Sequence, residues 1–222
     1  DVREAVASRH SIRGFLDRAV DGDVIRRILS EATRAPSGGN LQPWNLHVVA
    51  GDPLDRLKAI MAARTAEAPR GEEMEYAIYP TKLDDPYAAR RFKVGEDMYG
   101  HVGIAREDRE ARRRWFARNF AFFGAPLALF CTVDRNMGPP QWSDLGMFLQ
   151  TVMLLLRGEG LDSCAQECWA MYPQTLGDFL SIDAGQMLFC GMSIGYRDPD
   201  EPANRLISDR APLEEVARFH GI

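Results

Sequence analysis

The apolar positions of the chain recur mainly at helical spacing, in segments separated by charged and glycine-rich stretches. One clear case lies behind the cap candidate Asp21, where Ile28, Leu29 and Ala32 fall on one face. Residues 142–157 are apolar almost all round, which favours a helix in the core or at a subunit contact. The pattern predicts helices over 1–8, 23–35, a segment opened by Pro53, 107–123, 142–157 and 212–219.

Short β-prone runs lie between the predicted helices, at 46–50, 126–133 and 187–196. Strands separated by helices in this way are typical of an α+β fold with a central sheet flanked by helices. The first strand-to-helix turn, 50–54, has one glycine and a proline, so it does not match the glycine-rich turn of a Rossmann domain. The length of 222 residues favours one domain over 1–222.

Residues 68–103 break the pattern with Pro, Gly, Tyr and charges. Irregular segments of this length in a compact domain are usually functional loops. We therefore expect an insertion that covers a site as a lid.

Charge and composition exclude several kinds of partner. The net charge of -5 and the pI near 5.5 argue against nucleic acid, because neutralising phosphates needs a basic surface. The longest apolar stretch, 147–156, spans about ten residues, whereas a bilayer-crossing helix needs roughly 20, so we expect no membrane partner. The four cysteines form no C-x-x-C pair and no metal-ligand spacing with His, which favours free thiols in a reducing cytoplasm.

Two arginines, a histidine and a serine follow the first predicted helix within five residues, in the sequence RHSIR. Arg9 and Arg13 offer planar multidentate donors, Ser11 adds a hydroxyl, and His10 adds an imidazole. Such a set is suited to a phosphate dianion without a glycine-rich loop. The alternative is a solvated basic patch.

A rigid, irregular loop is predicted at 35–44, with the sequence APSGGNLQPW. Its backbone can approach a ligand closely, and Pro36, Ser37, Asn40 and Gln42 carry the small and polar groups that contact the edge of a heterocycle. The alternative is a loop that ends a helix with ordinary Asx and Ser turns.

Small residues next to Gln166 and Glu167 follow the most apolar helix, in GLDSCAQECW. They would let a flat ring lie against the backbone, although Glu167 is also compatible with an ordinary surface carboxylate. We interpret Cys164 and Cys168 as packing residues. In the tail, Arg205 and Arg210 carry charge that can reach the same phosphate, and no G-x-S-x-G elbow or metal-ligand set occurs.

In this order, the segments RHSIR, APSGGNLQPW, WSDLGMFLQTVMLLL, GLDSCAQECWA and SIGY followed by NRLISDRAPLEEV resemble the FMN-dependent nitroreductase family over most of the chain. The resemblance implies an α+β fold with a central mixed sheet, an interlocked homodimer, and two FMN sites at the subunit interface. The apolar helix 142–157 would then be dimer core.

The resemblance also assigns FMN contacts. It implies that the phosphate and ribityl chain are held from one subunit by Arg9, His10, Ser11, Arg13 and Arg210. It implies that the isoalloxazine is approached from the partner by Pro36, Ser37, Asn40 and Gln42, and lined on its other side by Ala165, Gln166 and Glu167. Two positions depart from the family pattern, because His10 stands where many relatives carry Arg and Ser208 where some carry Lys.

The function implied is reduction of small nitroaromatics, with NADH or NADPH as reductant and a ping-pong hydride transfer through flavin N5. No side chain is nominated as catalytic, since the flavin carries the chemistry. The charges of Lys82, Arg90, Arg91 and Lys93 in the expected lid would attract an acidic aromatic such as a nitrobenzoate, or else form a solvated charge run.

Two alternatives stay open. The first is another flavin chemistry in the same fold, such as reductive dehalogenation or the reduction of quinones or enones. A dehalogenase of this kind would clasp an amino-acid zwitterion with Glu73, Tyr76 and Lys82. The second is a flavin-binding module without efficient turnover.

Overall fold

The computed structural model describes residues 1–222 as eight α-helices, four strands and four short 3₁₀ helices. The helices are α1 (Val2–Ser8), α2 (Gly22–Ala32), α3 (Asp52–Glu67), α4 (Tyr87–His101), α5 (Arg109–Ala117), α6 (Pro139–Gly158), α7 (Pro173–Leu180) and α8 (Leu213–Val216). The strands are β1 (Asn45–Ala50), β2 (Leu127–Asp134), β3 (Asp162–Gln166) and β4 (Gln186–Gly195). The expected α+β fold with a central sheet is confirmed.

The sheet has the order β1-β2-β4-β3, and all three neighbouring pairs are antiparallel. The expectation of a mixed sheet is therefore wrong for this chain. The helix-linked strands β2 and β3 do run in the same direction, but β4 lies between them and pairs with both. The single parallel contact is an isolated bridge between Ser11 and Ser163.

Side chains of β2 alternate between two apolar cores, as the strand period of two requires. Ala128 and Phe130 pack on one face with α3, the 3₁₀ helix Arg118–Gly124 and Trp169. Leu129 and Cys131 pack on the other face with α2 and α6. Both faces of the sheet are thus covered by helices, and the polar residues at the end of β3 remain at an edge.

Several predicted boundaries change. The helix predicted over 107–123 ends at Ala117, because Phe122 and Phe123 adopt left-handed backbone angles and bury their rings. The closing helix predicted over 212–219 is only Leu213–Val216. The segment predicted to be irregular, 68–103, contains the 15-residue helix α4.

No helix has the length and apolar character needed to cross a membrane.

Candidate functional site

The segment 9–13 is joined to β3. Ser11 bridges Ser163, and the Ile12 amide donates to the Ser163 carbonyl at 3.1 Å. Burial raises the pKa of the neighbouring Cys164 thiol, while the charge of Arg13, a hydrogen bond with Ser11 and the charge of Arg9 oppose that rise. The fold therefore brings the first predicted motif against the start of the third.

Side chains at the end of β3 alternate between solvent and interior. Ala165 and Glu167 are exposed, whereas Gln166 between them is buried. The Gln166 amide donates to the Asn119 carbonyl at 2.8 Å and accepts from the Ser193 hydroxyl at 2.6 Å. The side chain of Gln166 is thus occupied within the chain, and only its backbone is available to a ligand.

A cleft of about 690 Å³ opens beside Ala165 and Glu167. Its walls come from α4, from the chain after α3 and from the end of α5, and are mostly apolar. The wall residues are Met74, Ala77, Ile78, Tyr79, Val94, Met98, Phe116, Met171 and Leu206. Its charged residues are Arg13, Arg70, Arg91 and Glu167, and partial burial raises the pKa of Glu167. We call this the apolar cleft.

A second cleft of about 670 Å³ is lined by Arg9, His10, Arg157, Arg197 and Arg210, with no carboxylate among its lining residues. We call it the arginine cleft. Behind it, the buried Asp162 carboxylate accepts from Arg157 at 2.9 Å and from Arg197 at 2.6 Å. One buried carboxylate thus orients two arginines and leaves the cleft with excess positive charge.

His10 and Arg210 are both held by main-chain oxygens. The His10 ring nitrogens lie 3.0 Å from the Ser8 carbonyl and 3.2 Å from the Asn204 carbonyl. Arg210 donates to the Ser208 carbonyl at 2.9 Å and to the Ser208 hydroxyl at 2.7 Å. His10 therefore fastens the first segment to the tail, while Arg210 folds back on its own loop.

Asn204 is a positioning residue that the sequence did not single out. Its side-chain oxygen accepts from the Arg13 amide at 2.7 Å, and its amide donates to the carbonyls of Gly14 and Asp198, both at 2.8 Å. The amide of Asn204 therefore fixes the backbone that carries Arg13.

The loop 36–42 lies apart from both clefts and lines neither. Gly39, Asn40 and Gln42 all have left-handed backbone angles, and the Ser37 hydroxyl accepts from the Gln42 amide at 3.0 Å. The loop contacts α6, where the Gly38 amide donates to the buried Asp144 carboxylate at 3.2 Å. Within one chain, Pro36, Ser37, Asn40 and Gln42 are not brought together with the first and third motifs.

The chain after α3 is anchored by Glu72. Its carboxylate, only 5% exposed, accepts from Arg64 at 3.0 Å and from the Gln174 amide at 2.8 Å, and it also binds Thr175. Burial alone would raise the pKa of Glu72, but the bonds from Thr175, Arg64 and Gln174 outweigh it and lower the pKa. The amides belong to the first turn of α7, where a carboxylate is favourable.

A second anchor follows at Tyr76. Its hydroxyl donates to the Phe189 carbonyl, and its ring packs edge-on against Trp142. Burial raises the pKa of Tyr76, so it stays a neutral donor. The expected lid is therefore tied to the sheet at its root.

Three of the four lid cations are already paired. Lys82 binds Asp84 at 2.9 Å, Arg90 binds Glu215 at 2.8 Å and Lys93 binds Asp97 at 2.6 Å. Of the four, Arg91 alone lines the apolar cleft. Arg91 is therefore the one of the four that is placed to meet a ligand in this cleft, whereas the other three lie in ion pairs.

The residues proposed for a zwitterion clasp do not converge. Glu73 lines a separate polar pocket beside α7, Tyr76 is bound to Phe189, and Lys82 is bound to Asp84. This arrangement gives no support to the dehalogenase alternative.

Known proteins resemble this chain in sequence and in structure. The sequence profile of the nitroreductase family matches residues 6–196. The chain belongs to the nitroreductase family. It is 36% identical over 218 residues to the nitrobenzene nitroreductase of Ectopseudomonas oleovorans, covering 98% of this chain and 96% of that protein. It is 37% identical over 221 residues to the 4-nitrobenzoate reductase of Pseudomonas putida, covering 100% of this chain and 96% of that protein.

A solved structure is also similar over the whole chain. The FMN and NADPH-dependent nitroreductase NfnB from Sphigopyxis sp. strain HMH has a TM-score of 0.97 and 48% identity, with 100% of both chains covered. The family resemblance expected from the motifs is confirmed.

Other residues of the apolar cleft carry no local signal in the sequence. Arg70, Phe116 and Asn119 reach the apolar cleft from three different elements, so only the folded chain brings them together. Arg91 stands out only once the range of α4 is known, because the positions 91, 94, 95 and 98 share one helical face.

Proposed function

We propose that this nitroreductase is an FMN-dependent NAD(P)H oxidoreductase that reduces small nitroaromatics. The observation that carries the proposal is that the segment 9–13 contributes to two clefts of different character, since Arg9 and His10 line one and Arg13 lines the other. On one side lies an arginine-lined cleft without carboxylates, and on the other a largely apolar cleft. FMN has the same division, with a dianionic phosphate at one end and a flat aromatic ring at the other.

The residues present fit FMN. Arg9, Arg210 and the oriented Arg157 and Arg197 supply charge-assisted donors for a phosphate, and Ser11 lies between the clefts. Ala165 has no side chain beyond Cβ, so a flat ring can approach the β3 backbone there. We assign Arg9, His10, Ser11, Arg13 and Arg210 to the phosphate and ribityl chain, with Arg13 on the side of the apolar cleft, and Ala165, the Gln166 backbone and Glu167 to the ring.

FMN held by these residues would supply the redox chemistry, a ping-pong transfer of hydride through N5 from NAD(P)H to the nitro group, with the proton coming from solvent and the lost oxygen leaving as water. The protein binds and orients the reactants. The apolar side chains of Met74, Ile78 and Phe116 would limit the access of water to the reacting face once an aromatic ring fills the cleft. No side chain is assigned as acid or base.

The loop 36–42 enters the proposal from a second copy of the chain. Its strained, mostly exposed polar groups line neither the apolar cleft nor the arginine cleft of their own chain, and strain of this kind is concentrated at functional sites. The outer surfaces of α1 and α6 expose Val2, Val6 and Met147, at 75%, 56% and 40%. An apolar surface of this kind is expected at a subunit contact, so we propose a homodimer in which each FMN contacts both copies.

The acceptor class is inferred from two sources. The relatives described above are named for nitrobenzene and 4-nitrobenzoate. The apolar walls of the cleft are complementary to an aromatic ring.

The proposal is tested on the purified protein by its visible spectrum, followed by anaerobic titration with NADH and with NADPH. We expect a flavin spectrum that bleaches and then recovers on addition of 4-nitrobenzoate. Recovery only with a quinone or with 3-iodotyrosine would move the function to another acceptor. A flavin spectrum without bleaching would indicate a binding module, and the absence of any flavin spectrum would overturn the cofactor assignment.

A further inference from the structure

Adjacent arginines of α4 face different surroundings. Arg91 lies on the face with Val94 and Met98, which lines the apolar cleft. Arg90 lies with Lys93 on a face that binds the tail. Arg90 binds Glu215 at 2.8 Å, and Lys93 binds Asp209 at 2.9 Å. One helical turn therefore holds one arginine in the cleft and its neighbour in a structural ion pair.

Arg91 is held over an aromatic ring. Its guanidinium carbon lies 4.0 Å from the centroid of Tyr79, whose side chain also lines the cleft. Stacking on the ring leaves the N–H groups at the edge of the guanidinium plane free to donate. The stacked position also restricts the side chain before any ligand binds, which lowers the entropic cost of binding.

Arg70 reaches the same cleft from an anchored backbone. The next residue, Gly71, has φ +87° and lies so close to the 3₁₀ helix Glu167–Met171 that a Cβ would sit 2.7 Å from the Met171 carbonyl oxygen. Glu72 is then fixed by its carboxylate bonds to the start of α7. Because both following residues are fixed, Arg70 is kept at the edge of the cleft.

Neither cation is neutralised by the protein. Arg70 and Arg91 make no salt bridge, whereas Arg64 and Arg90 nearby are both paired. Glu167 is the one acidic residue of the cleft, against the three arginines Arg13, Arg70 and Arg91. An apolar cleft with excess positive charge is complementary to an aromatic ligand that carries an anionic group.

We propose that Arg70 and Arg91 form a selectivity pair that binds an anionic substituent of the ligand entering the apolar cleft. This inference rests on the proposed function and makes it more specific, because it states that the ligand of the apolar cleft is anionic. The anionic group has two sources, the carboxylate of an acceptor such as 4-nitrobenzoate and the 2′-phosphate of NADPH.

The experiment compares the holoenzyme with Arg70→Met, Arg91→Met, the double variant and the control Arg90→Met. Arg90→Met removes the same charge from the same helix but outside the cleft. Two half-reactions are measured separately by stopped flow: flavin bleaching with NADPH against NADH, and flavin reoxidation with 4-nitrobenzoate against nitrobenzene. Binding of benzoate, which cannot be reduced, is followed by titration calorimetry.

For one anionic ligand, we expect Arg70→Met and Arg91→Met each to lower the rate constant of the half-reaction about tenfold when that ligand is at low concentration. The reason is the loss of a charge-assisted hydrogen bond. The rate with the neutral counterpart and the FMN content should stay unchanged, and Arg90→Met should behave as the unmodified protein. Selective loss with 4-nitrobenzoate and with benzoate binding would identify the carboxylate as the ligand. Selective loss with NADPH over NADH would identify the phosphate.

Equal losses for anionic and neutral ligands, or no loss at all, would overturn the inference. So would a loss of the same size in Arg90→Met. Failure of the proposed function can be distinguished from failure of this inference, because a protein that reduces no nitroarene can still show benzoate binding that depends on Arg70 and Arg91.

Discussion

The segment 9–13 and the loop 36–42 are both assigned to FMN, yet the fold treats them differently. The first is bridged to β3, clamped by Asn204 and buried at Ile12. The second is mostly exposed, has left-handed angles at Asn40 and Gln42, and is held mainly through Asp144 of α6. The first segment is thus positioned by its own chain, whereas the second displays polar groups that, in the proposed homodimer, would contact the FMN bound by the other copy.

The largest effect is expected at the clamp of the first segment. Asn204→Ala removes three hydrogen bonds and leaves the Arg13 amide without a partner, whereas the Gly14 carbonyl still accepts from the Asp198 amide. We expect a loss of about 2–3 kcal/mol in the free energy of unfolding, measured by urea denaturation, together with weaker FMN binding. Unchanged stability would show that the segment is held by other contacts.

The next effect concerns charge at the phosphate end. Arg9→Ala and Arg13→Ala should each weaken FMN binding about tenfold or more, because each removes charge-assisted donors. Arg3→Ala, which removes an exposed charge from α1, is the matched control. Dissociation constants are measured by the quenching of flavin fluorescence on titration of the apoprotein. An equal loss in all three variants would indicate a general electrostatic effect rather than contact with the phosphate.

A smaller, pH-dependent effect is expected at the root of the lid. The folded-state pKa of Glu72 is lowered, so its stabilising contribution is present above the unfolded value of about 4.5 and is lost as pH falls through the folded pKa. The stability difference between the unmodified protein and Glu72→Gln should be about 1 kcal/mol near pH 6 and should shrink near pH 4. A difference that is independent of pH would contradict the assignment of the charged carboxylate as the anchor.

The smallest effect on stability is expected in the loop. Asn40→Gly should change the free energy of unfolding by no more than about 0.5 kcal/mol, because glycine adopts the φ of 57° without strain. If the side chain contacts the flavin from the partner, FMN binding should still weaken. A large loss of stability would show that the loop is part of the core of its own chain.

The sequence predicted the parts of the fold whose signals are local. The apolar helix α6 and strands β1, β2 and β4 follow from their apolar patterns. Strand β3 does not, because Ser163, Cys164 and Ala165 lack the β-branched and aromatic residues that mark a strand. It forms because β4 offers an edge to pair with.

The lid helix shows the opposite case. The glycines Gly95 and Gly100 and the run of charges obscured α4 in the sequence. Its faces are satisfied by tertiary contacts, among them the ion pair of Glu96 with Arg112 at 2.6 Å.

For the site, the structure joins the predicted segment 9–13 to β3, the strand that contains the predicted residues Ala165 and Gln166. The sequence could not show that the Gln166 side chain is used internally, since its partners Asn119 and Ser193 come from distant parts of the chain.

The central claim is that each site combines 9–13 of one copy with 36–42 of another. It is tested by co-expressing two differently tagged variants and purifying the mixed dimer by both tags. One variant carries Arg9→Ala and Arg13→Ala, and the other carries Ser37→Ala, Asn40→Gly and Gln42→Ala. In the mixed dimer, one site receives both sets of substitutions and the other receives neither.

The measurement is FMN content and nitroarene reduction of the mixed dimer against its two parents. We expect each parent dimer to hold little FMN and to show little activity. The mixed dimer should have about half the FMN and half the activity of the unmodified protein, because one of its two symmetric sites is intact. A mixed dimer no better than its parents, or a fully active loop variant, would contradict a site shared between two copies.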